Sequence, residues 1–171
     1  MTVTAVRKDP HALSLTLDAE FDASPERVWQ LWSDPRQLER WWGPPTYPAT
    51  FTKHDLKPGG RVEYHMTGPE GDQPHAFWDV QEVDPPRSLV VRDGFAHGDG
   101  SPNTEMPTNE FRVTIEDLGA GRTRMSIVSL FPSTEAMEQL LGFGMEQGLT
   151  LAVGQIDALL AGDKAGQPGG A

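Results

Sequence analysis

The histidine side chains are the first candidates for acid–base or metal chemistry in this sequence. They occur at five separated positions, His11, His54, His65, His75 and His97. No two of them have the spacing of a helical zinc motif such as H-E-x-x-H. The chain has no cysteine, which excludes a thiolate metal site, a disulfide and a cysteine nucleophile. The sequence therefore predicts no metal site.

One pair of histidines could act as an acid or a base. His65 and His75 flank a turn and would lie on adjoining strands, and the carboxylates Asp79 and Glu82 follow soon after. A histidine–carboxylate pair that faces a cavity can perform general acid–base catalysis. Strand alternation argues against this role, because an inward-facing Tyr64 would place His65 on the outer face. No catalytic residue is assigned from the sequence.

Charged residues on the predicted strands are a second group of candidates, namely Asp79, Arg92, Glu110 and Arg112. A charge that faced inward would be costly unless paired, so it would hold a polar ligand group or form a structural ion pair. An exposed strand face is the commoner explanation. The strand register cannot be derived from the sequence well enough to choose.

Motifs for nucleophilic catalysis and for nucleotide binding are absent from the sequence. No G-x-S-x-G elbow occurs. The glycines of Gly59-Gly60 and Gly98-Asp99-Gly100 lack a phosphate-binding pattern. No cofactor is predicted.

Large aromatic residues and methionines are the candidates for lining an apolar pocket, because such side chains suit adaptable apolar binding. The same residues could equally fill a closed core. The candidates are Trp32, Trp41, Trp42, Phe51, Tyr64, Met66, Trp78, Phe111, Phe131, Met137, Leu141, Phe143 and Met145.

Strands and short helices must position these candidates. Residues 13–21 alternate strictly between apolar and polar, which predicts a strand. Ser24-Pro25-Glu26 and Asp34-Pro35-Arg36-Gln37 are typical helix starts, and the second has a capping-box pattern. Further alternating segments, separated by glycine- and proline-rich turns, predict an antiparallel meander. These segments are residues 47–53, 61–66, 75–83, 88–93, 109–116 and 123–131, with a long loop at 96–108.

The end of the chain is predicted to be helical. Ser133 can cap a short helix, and Gly142-Phe143-Gly144 would interrupt it. From Met145 the apolar spacing predicts one helix of about 17 residues, which Gly162 would end. Such a helix can cover one face of the sheet and leave a ligand cavity in between.

Composition and hydropathy limit the partners and the cellular location expected for this protein. The formal net charge of −11 makes nucleic acid and anionic lipid poor partners. No apolar run approaches the length of a membrane span, and the opening residues lack the apolar core of a secretory signal, so a cytoplasmic protein is expected. One domain is predicted at residues 13–161, before a disordered tail at 162–171. The N-terminus at 1–12 is expected to be flexible or to form an edge strand.

Several segments resemble the activator of heat-shock protein 90 ATPase homologue-like branch of the START-like (SRPBCC) superfamily. They are residues 31–35 (LWSDP), 38–44 (LERWWGP), 57–61 (KPGGR), 82–89 (EVDPPRSL), 121–125 (GRTRM) and 155–160 (QIDALL). The resemblance implies an α+β helix-grip fold, in which a seven-stranded antiparallel sheet wraps around a long C-terminal helix. Two short helices follow the first strand. Gly142-Phe143-Gly144-Met145 stands where the family usually carries a Gly-Trp pair, a departure that could alter ligand size.

Three functions remain open after this resemblance, which assigns no catalytic residue. The leading prediction is binding of a small hydrophobic or aromatic molecule between the sheet and the C-terminal helix. An enzyme of the cyclase, aromatase or hydrolase type, using Tyr64, Asp79 or Glu110, is the second. A chaperone-docking module is the third, and an exposed apolar patch on the outer sheet face would favour it. A homodimer is compatible with the sequence.

Overall fold

One antiparallel sheet of eight strands carries the fold. The computed structural model of the chain describes residues 3–166, with side chains as far as residue 162. The strands are β1 (Val3–Asp9), β2 (Ser14–Phe21), β3 (Ala49–His54), β4 (Arg61–Met66), β5 (His75–Asp84), β6 (Ser88–Ala96), β7 (Asn109–Gly119) and β8 (Arg122–Leu130). The helices are α1 (Pro25–Ser33), α2 (Pro35–Trp41), α3 (Thr134–Gly142), α4 (Met145–Gly154) and α5 (Ile156–Gly166). The strand order is β1-β2-β8-β7-β6-β5-β4-β3. The α+β helix-grip fold is thus confirmed, with eight strands in place of the seven expected.

The additional strand is the N-terminal segment, for which the sequence left a flexible end and an edge strand open. Strand β1 pairs antiparallel with β2, from Val3 opposite Ala19 to Asp9 opposite Ser14. The Asp9 carboxylate closes the turn by accepting from the backbone N–H groups of His11 (3.1 Å) and Ala12 (3.2 Å). Because β1 pairs with β2 alone and stands at the end of the strand order, the segment is an edge strand.

Alternation along the strands determines which side chains reach the core. On β7 the buried residues are Asn109, Phe111, Val113 and Ile115, two positions apart, as the pleat of a strand requires. The aromatic residues meet in the centre of the core. Trp32 lies edge-on to Trp41, with ring centroids 4.8 Å apart, and tilted against Phe111 at 6.0 Å.

Capping side chains start the two short helices where the sequence predicts. Ser24 Oγ accepts from the backbone N–H of Arg27 at 3.2 Å, and an Asp34 carboxylate oxygen accepts from that of Arg36 at 2.9 Å. The side chain of Gln37 donates to the Asp34 carboxylate at 3.0 Å, so it supports the capping residue through its side chain.

Helix α2 covers one edge of the sheet. Arg36 donates to the carbonyl oxygen of Phe51 at 2.8 Å, and a Glu39 carboxylate oxygen accepts from the N–H of Phe51 at 3.1 Å. These two side chains take the place of a further strand beside β3, where a register irregularity occurs between Phe51 and Lys53.

The C-terminal helix differs from the prediction in two ways. It is divided into α4 and α5 at Gln155, whose side-chain amide donates to the carbonyl oxygens of Trp41 (3.2 Å) and Gly43 (2.6 Å). The break thus joins the helix to the end of α2. Helix α5 also continues past Gly162 to Gly166, so the tail does not begin at residue 162, and residues 167–171 lie outside the described part.

Candidate functional site

A cavity of about 380 Å³ lies between the inner sheet face and the α3–α4 segment. Strands β4 to β8 form one wall, and the residues around the α3–α4 turn form the other. The lining residues that the sequence predicted are Trp42, Tyr64, Met66, Phe111, Phe143 and Met145. Apolar side chains of Ile127, Leu140 and Leu149 complete much of the lining.

The other predicted pocket residues do not line this cavity. They are Trp32, Trp41, Phe51, Trp78, Phe131, Met137 and Leu141. All but Leu141 are buried in the core, and Leu141 packs on a smaller cluster that includes Phe131 and Met137. Residue type alone did not separate them, because the same large apolar side chains serve a packed core and a cavity wall.

Four polar residues on the cavity wall were missed by the sequence analysis, namely Tyr47, Asp93, Asn109 and Ser129. Asp93 on β6 and Asn109 on β7 lie directly opposite each other in the strand register, and both line the cavity. Asn109 is only 5% exposed, and its Nδ2 atom has no hydrogen-bond partner among the described residues. Strand alternation could have identified Asp93 and Asn109, because alternate residues share one face of a strand. Asp93 lies on the same face of β6 as the apolar Leu89 and Val91, and Asn109 lies on the same face of β7 as Phe111.

Tyr64 and Asp93 form a polar contact within this apolar surrounding. The hydroxyl of Tyr64 donates to an Asp93 carboxylate oxygen over a long distance of 3.5 Å. Burial raises the pKa of the Asp93 carboxyl to about 7, and the hydrogen bond from Tyr64 opposes that shift only in part. Burial, with the neighbouring Asp93 carboxylate, also holds the pKa of the Tyr64 hydroxyl well above its ordinary value. The carboxyl can therefore take or release a proton near neutral pH.

Two indole groups lie beside the Tyr64 hydroxyl. The Nε1 atoms of Trp42 and Trp78 are buried, and both are close enough to the Tyr64 oxygen for their donation to oppose the rise in the pKa of that hydroxyl. In contrast, Trp32 Nε1 donates to the sulfur of Met125 at 3.3 Å, and Trp41 Nε1 donates to the carbonyl oxygen of Leu31 at 3.0 Å. Of Trp42 and Trp78, only Trp42 lines the cavity. The Tyr64 hydroxyl is thus the polar group on which the two indoles and the Asp93 carboxyl converge.

The charged residues proposed from the sequence lie elsewhere. Asp79 pairs with Arg61 at 3.0 Å and with Arg92 at 2.9 Å, and Glu110 pairs with Arg112 at 2.9 Å. The strand pleat puts Asp79 and Glu110 on the outer sheet face, next to inward-facing Trp78 and Phe111. These carboxylates thus lie on an exposed strand face, the commoner explanation given from the sequence, whereas Tyr64 lines the cavity.

The histidine pair also lies away from the cavity. His65 and His75 are opposite each other on β4 and β5, with ring centroids 5.2 Å apart, and neither lines the cavity. Within the described residues, no three histidine or carboxylate side chains are grouped so that they could hold a metal ion. No helix in that part of the chain is long and apolar enough to cross a membrane.

The turn between α3 and α4 marks the mouth of the cavity. Phe143 lines the cavity and yet is 58% exposed, with its ring edge-on to Phe95 at 6.1 Å. Gly144, which follows, has a φ of +85°, a conformation that favours glycine. This turn therefore depends on glycine and carries an aromatic ring at the entrance.

Comparisons with known proteins give the family. The family model described as activator of Hsp90 ATPase homolog 1-like protein matches residues 22–161. The chain belongs to this family. The family and the helix-grip fold expected from the sequence resemblance are therefore both confirmed. Among the curated proteins, none matches the chain.

Two solved structures of bacterial proteins at nearly half identity are similar over nearly the whole chain. A crystal structure of a Mycobacterium smegmatis protein is 47% identical, with a TM-score of 0.85, and the match covers 92% of this chain and 96% of that one. A solution structure of an Arthrobacter aurescens protein is 48% identical, with a TM-score of 0.89 and coverages of 94% and 92%. A Silicibacter pomeroyi protein, 24% identical with a TM-score of 0.71 over 88% of this chain and 99% of that one, shares the fold.

Proposed function

We propose that this protein binds a small, largely apolar molecule in the cavity between its sheet and the α3–α4 segment. The observation that carries the proposal is the cavity itself, which is already formed and is lined mainly by aromatic and aliphatic side chains. Its volume of about 380 Å³ lies within the range of small-molecule sites in proteins. A few polar groups converge on one wall, as they do in sites that orient a ligand.

Native mass spectrometry of the purified protein tests this proposal. We expect an adduct that disappears on denaturation, or binding of added apolar and aromatic compounds that raises the melting temperature. A mass without adduct, together with no thermal shift from fatty acids, sterols and aromatic compounds, would contradict the proposal.

A cavity-filling variant shows whether the ligand occupies this cavity. Gly148 and Gly154 both lie on α4, and a Cβ atom at either position would meet nothing within 4 Å. Only Gly148 lines the cavity. We expect Gly148→Leu to weaken binding at least tenfold, because its side chain can take the ligand's space. Gly154→Leu, the matched control, should bind as the wild type does. Equal binding by both variants would place the ligand elsewhere.

An enzyme is a second candidate function, and the Tyr64–Asp93 contact favours it. A carboxyl whose pKa is raised to about 7 can act as an acid or a base at neutral pH. The test is to incubate a bound ligand with the protein and to follow its mass over time. Conversion by the wild type and none by Asp93→Asn, with binding retained, would support an enzyme. A ligand whose mass does not change would contradict the enzyme function and support binding alone.

Chaperone docking has little support in the described structure. The outer sheet face carries ion pairs such as Arg124–Glu116 at 3.4 Å and Arg122–Glu20 at 2.8 Å, where an apolar patch would favour docking. The homodimer and the cytoplasmic setting remain predictions.

A further inference from the structure

One carboxylate oxygen of Asp93 is a hydrogen-bond acceptor that the protein leaves open on the cavity wall. The Tyr64 hydroxyl beside it is already engaged, because the indoles of Trp42 and Trp78 lie within donating range of its oxygen and its own hydrogen goes to Asp93 Oδ1 at 3.5 Å. The second oxygen, Oδ2, accepts no hydrogen bond from any residue that the structure describes. Asp93 is part-buried and lines the cavity, so this acceptor is available to a ligand.

The cavity lining offers this carboxylate no cation. Among the lining residues that the structure describes there is no lysine, arginine or histidine. Arg92, next to Asp93 on β6, lies on the outer sheet face and pairs with Asp79 at 2.9 Å. A negative charge without a partner is costly in an apolar cavity, and burial accordingly raises the pKa of the Asp93 carboxyl to about 7. The positive partner that this carboxyl lacks has to come from outside the lining.

The surroundings of Asp93 favour a positive group. The rings of Trp42, Tyr64 and Phe111 line the cavity, with the Trp42 centroid 6.4 Å from that of Tyr64 and 5.5 Å from that of Phe111. Aromatic faces attract cations. Tyr47, also in the lining, donates to the exposed carboxylate of Asp72 at 2.8 Å, so a second acid lies beside the cavity. The net charge of −11 draws cations toward the whole molecule.

An ammonium group fits this wall better than other polar groups. A ligand carboxylate would meet no cation and would be repelled by Asp93. A ligand hydroxyl could donate to Oδ2 but would leave the negative charge uncompensated. An ammonium donates up to three hydrogen bonds and also supplies the opposite charge. Removing the ammonium from water opposes binding, and the charge-assisted hydrogen bond offsets that cost in a medium less polar than water.

We infer that Asp93 binds the ammonium group of a primary amine whose apolar part fills the rest of the cavity. The inference rests on the proposed binding function. It deepens that function by naming the ligand class, amphiphilic amines.

Four probes with one naphthyl skeleton test the inference by equilibrium dialysis at pH 8, where Asp93 is mostly ionised. They are 2-propylnaphthalene, 2-(2-naphthyl)ethanol, 2-(2-naphthyl)ethylamine and 2-naphthylacetate. We expect the amine to bind about tenfold or more tightly than the alcohol, since a hydrogen bond between charged groups supplies that difference. The carboxylate should bind most weakly. An alcohol that binds as tightly as the amine, or a preference for the carboxylate, would overturn the inference.

The pH dependence of binding is a second test. Asp93 is the group that titrates here, because Trp78 and Asn109 opposite it are uncharged and the α3–α4 segment adds no titratable residue to the described lining. Tyr47 and Tyr64 stay neutral, because a hydrogen bond to a carboxylate raises the pKa of the first and burial raises that of the second. Acidification from pH 8 to pH 5 protonates Asp93, so affinity for the amine should fall about tenfold or more while that for the hydrocarbon stays constant. At pH 6 each bound amine should release about one proton. Amine binding that is independent of pH would contradict the inference.

Variants locate the preference at Asp93. Asp93→Asn should reduce the preference for amine over alcohol about tenfold or more and abolish proton release. Its affinity for the hydrocarbon should stay within about twofold, because the cavity keeps its shape. Asp22→Asn is the matched control, since it removes the same formal charge at an exposed position outside the lining. It should leave the preference unchanged. Equal effects of the two variants would assign the preference to net charge and overturn the inference.

The failure of this inference and the failure of the proposed function give different results. If no probe binds the wild type, both fail. If the hydrocarbon binds and the amine has no advantage over the alcohol, binding in the cavity stands and the ammonium site is wrong.

Discussion

At the scale of single residues, Asp93 makes the stability of the protein depend on pH. Burial raises the pKa of its carboxyl to about 7 in the folded protein, from an ordinary value of 3.8 that applies to the unfolded chain. Between these values the folded state holds a proton that the unfolded state has released, so stability falls as pH rises. Above the folded-state pKa the loss is complete, roughly 2 to 4 kcal/mol.

The variant Asp93→Asn should remove this loss. We expect its free energy of unfolding to exceed that of the wild type by roughly 2 to 4 kcal/mol at pH 8 and by far less near pH 4. Tyr64 faces Asp93 from β4 and stays neutral over this range, because its pKa is raised well above its ordinary value. Trp78 and Asn109, opposite Asp93 on β5 and β7, are uncharged. Urea unfolding at several pH values is the measurement.

The control for this prediction is Glu138→Gln, at an exposed position on α3. Its difference from the wild type should stay constant with pH, and the histidines, present in every variant, cancel in the comparison. A constant difference for Asp93→Asn as well would contradict the raised pKa. It would also weaken the candidate enzyme function, which needs this carboxyl to exchange protons near neutral pH.

The cavity residues show how far the sequence alone could go. Trp41 and Trp42 are neighbours in one motif, yet the indole of Trp41 bonds the carbonyl oxygen of Leu31 within the core, whereas Trp42 lines the cavity. Residue type was enough to name candidates for the cavity lining, but only three-dimensional packing shows which of them line the cavity and which are buried in the core. Asp93 and Asn109 could have been found from the phase of their strands, whereas their position opposite each other depends on strand pairing.

At the scale of elements, the sequence was sufficient to predict helix starts, because they depend on hydrogen bonds between residues close in sequence. The caps at Ser24, Asp34 and Ser133 begin their helices as predicted, because each cap bonds residues two or three positions away. The division of the C-terminal helix at Gln155 could not be predicted. Its partners are the carbonyl oxygens of Trp41 and Gly43, more than a hundred residues away in sequence.

Gln155 is expected to stabilise the fold and the cavity wall together. Its two hydrogen bonds hold the backbone on either side of Trp42, which lines the cavity. We expect Gln155→Ala to lower the free energy of unfolding by about 1–3 kcal/mol, because two carbonyl oxygens lose their donor. Gln147→Ala, at an exposed position on α4, is the matched control and should change stability by less than about 0.5 kcal/mol. Equal effects in urea unfolding would show that these bonds add nothing.

At the scale of the whole molecule, the two edges of the sheet are protected in different ways. Side chains of α2 occupy the backbone groups of Phe51 on β3, and β1 forms the opposite edge. Strand β1 carries charges at Arg7, Lys8 and Asp9, and Lys8 pairs with Glu146 on α4 at 2.9 Å. Charged side chains on an edge strand oppose pairing with a further chain.

Removal of residues 1–9 should therefore expose β2 as a new edge and cause self-association. Strand β2 alternates buried and part-buried residues along its length and carries few charges, so its unpaired backbone groups would present an open pairing site. We expect light scattering after size-exclusion chromatography to give a larger mass for the truncated chain than for the full chain, together with lower thermal stability. The control is the double variant Arg7→Ala, Lys8→Ala, which keeps the backbone pairing and loses only surface ion pairs, each contributing at most about 1 kcal/mol. This variant should keep the mass of the full chain. If it associates as strongly as the truncated chain, charge protects the edge, and if neither associates, β1 is not needed to protect it.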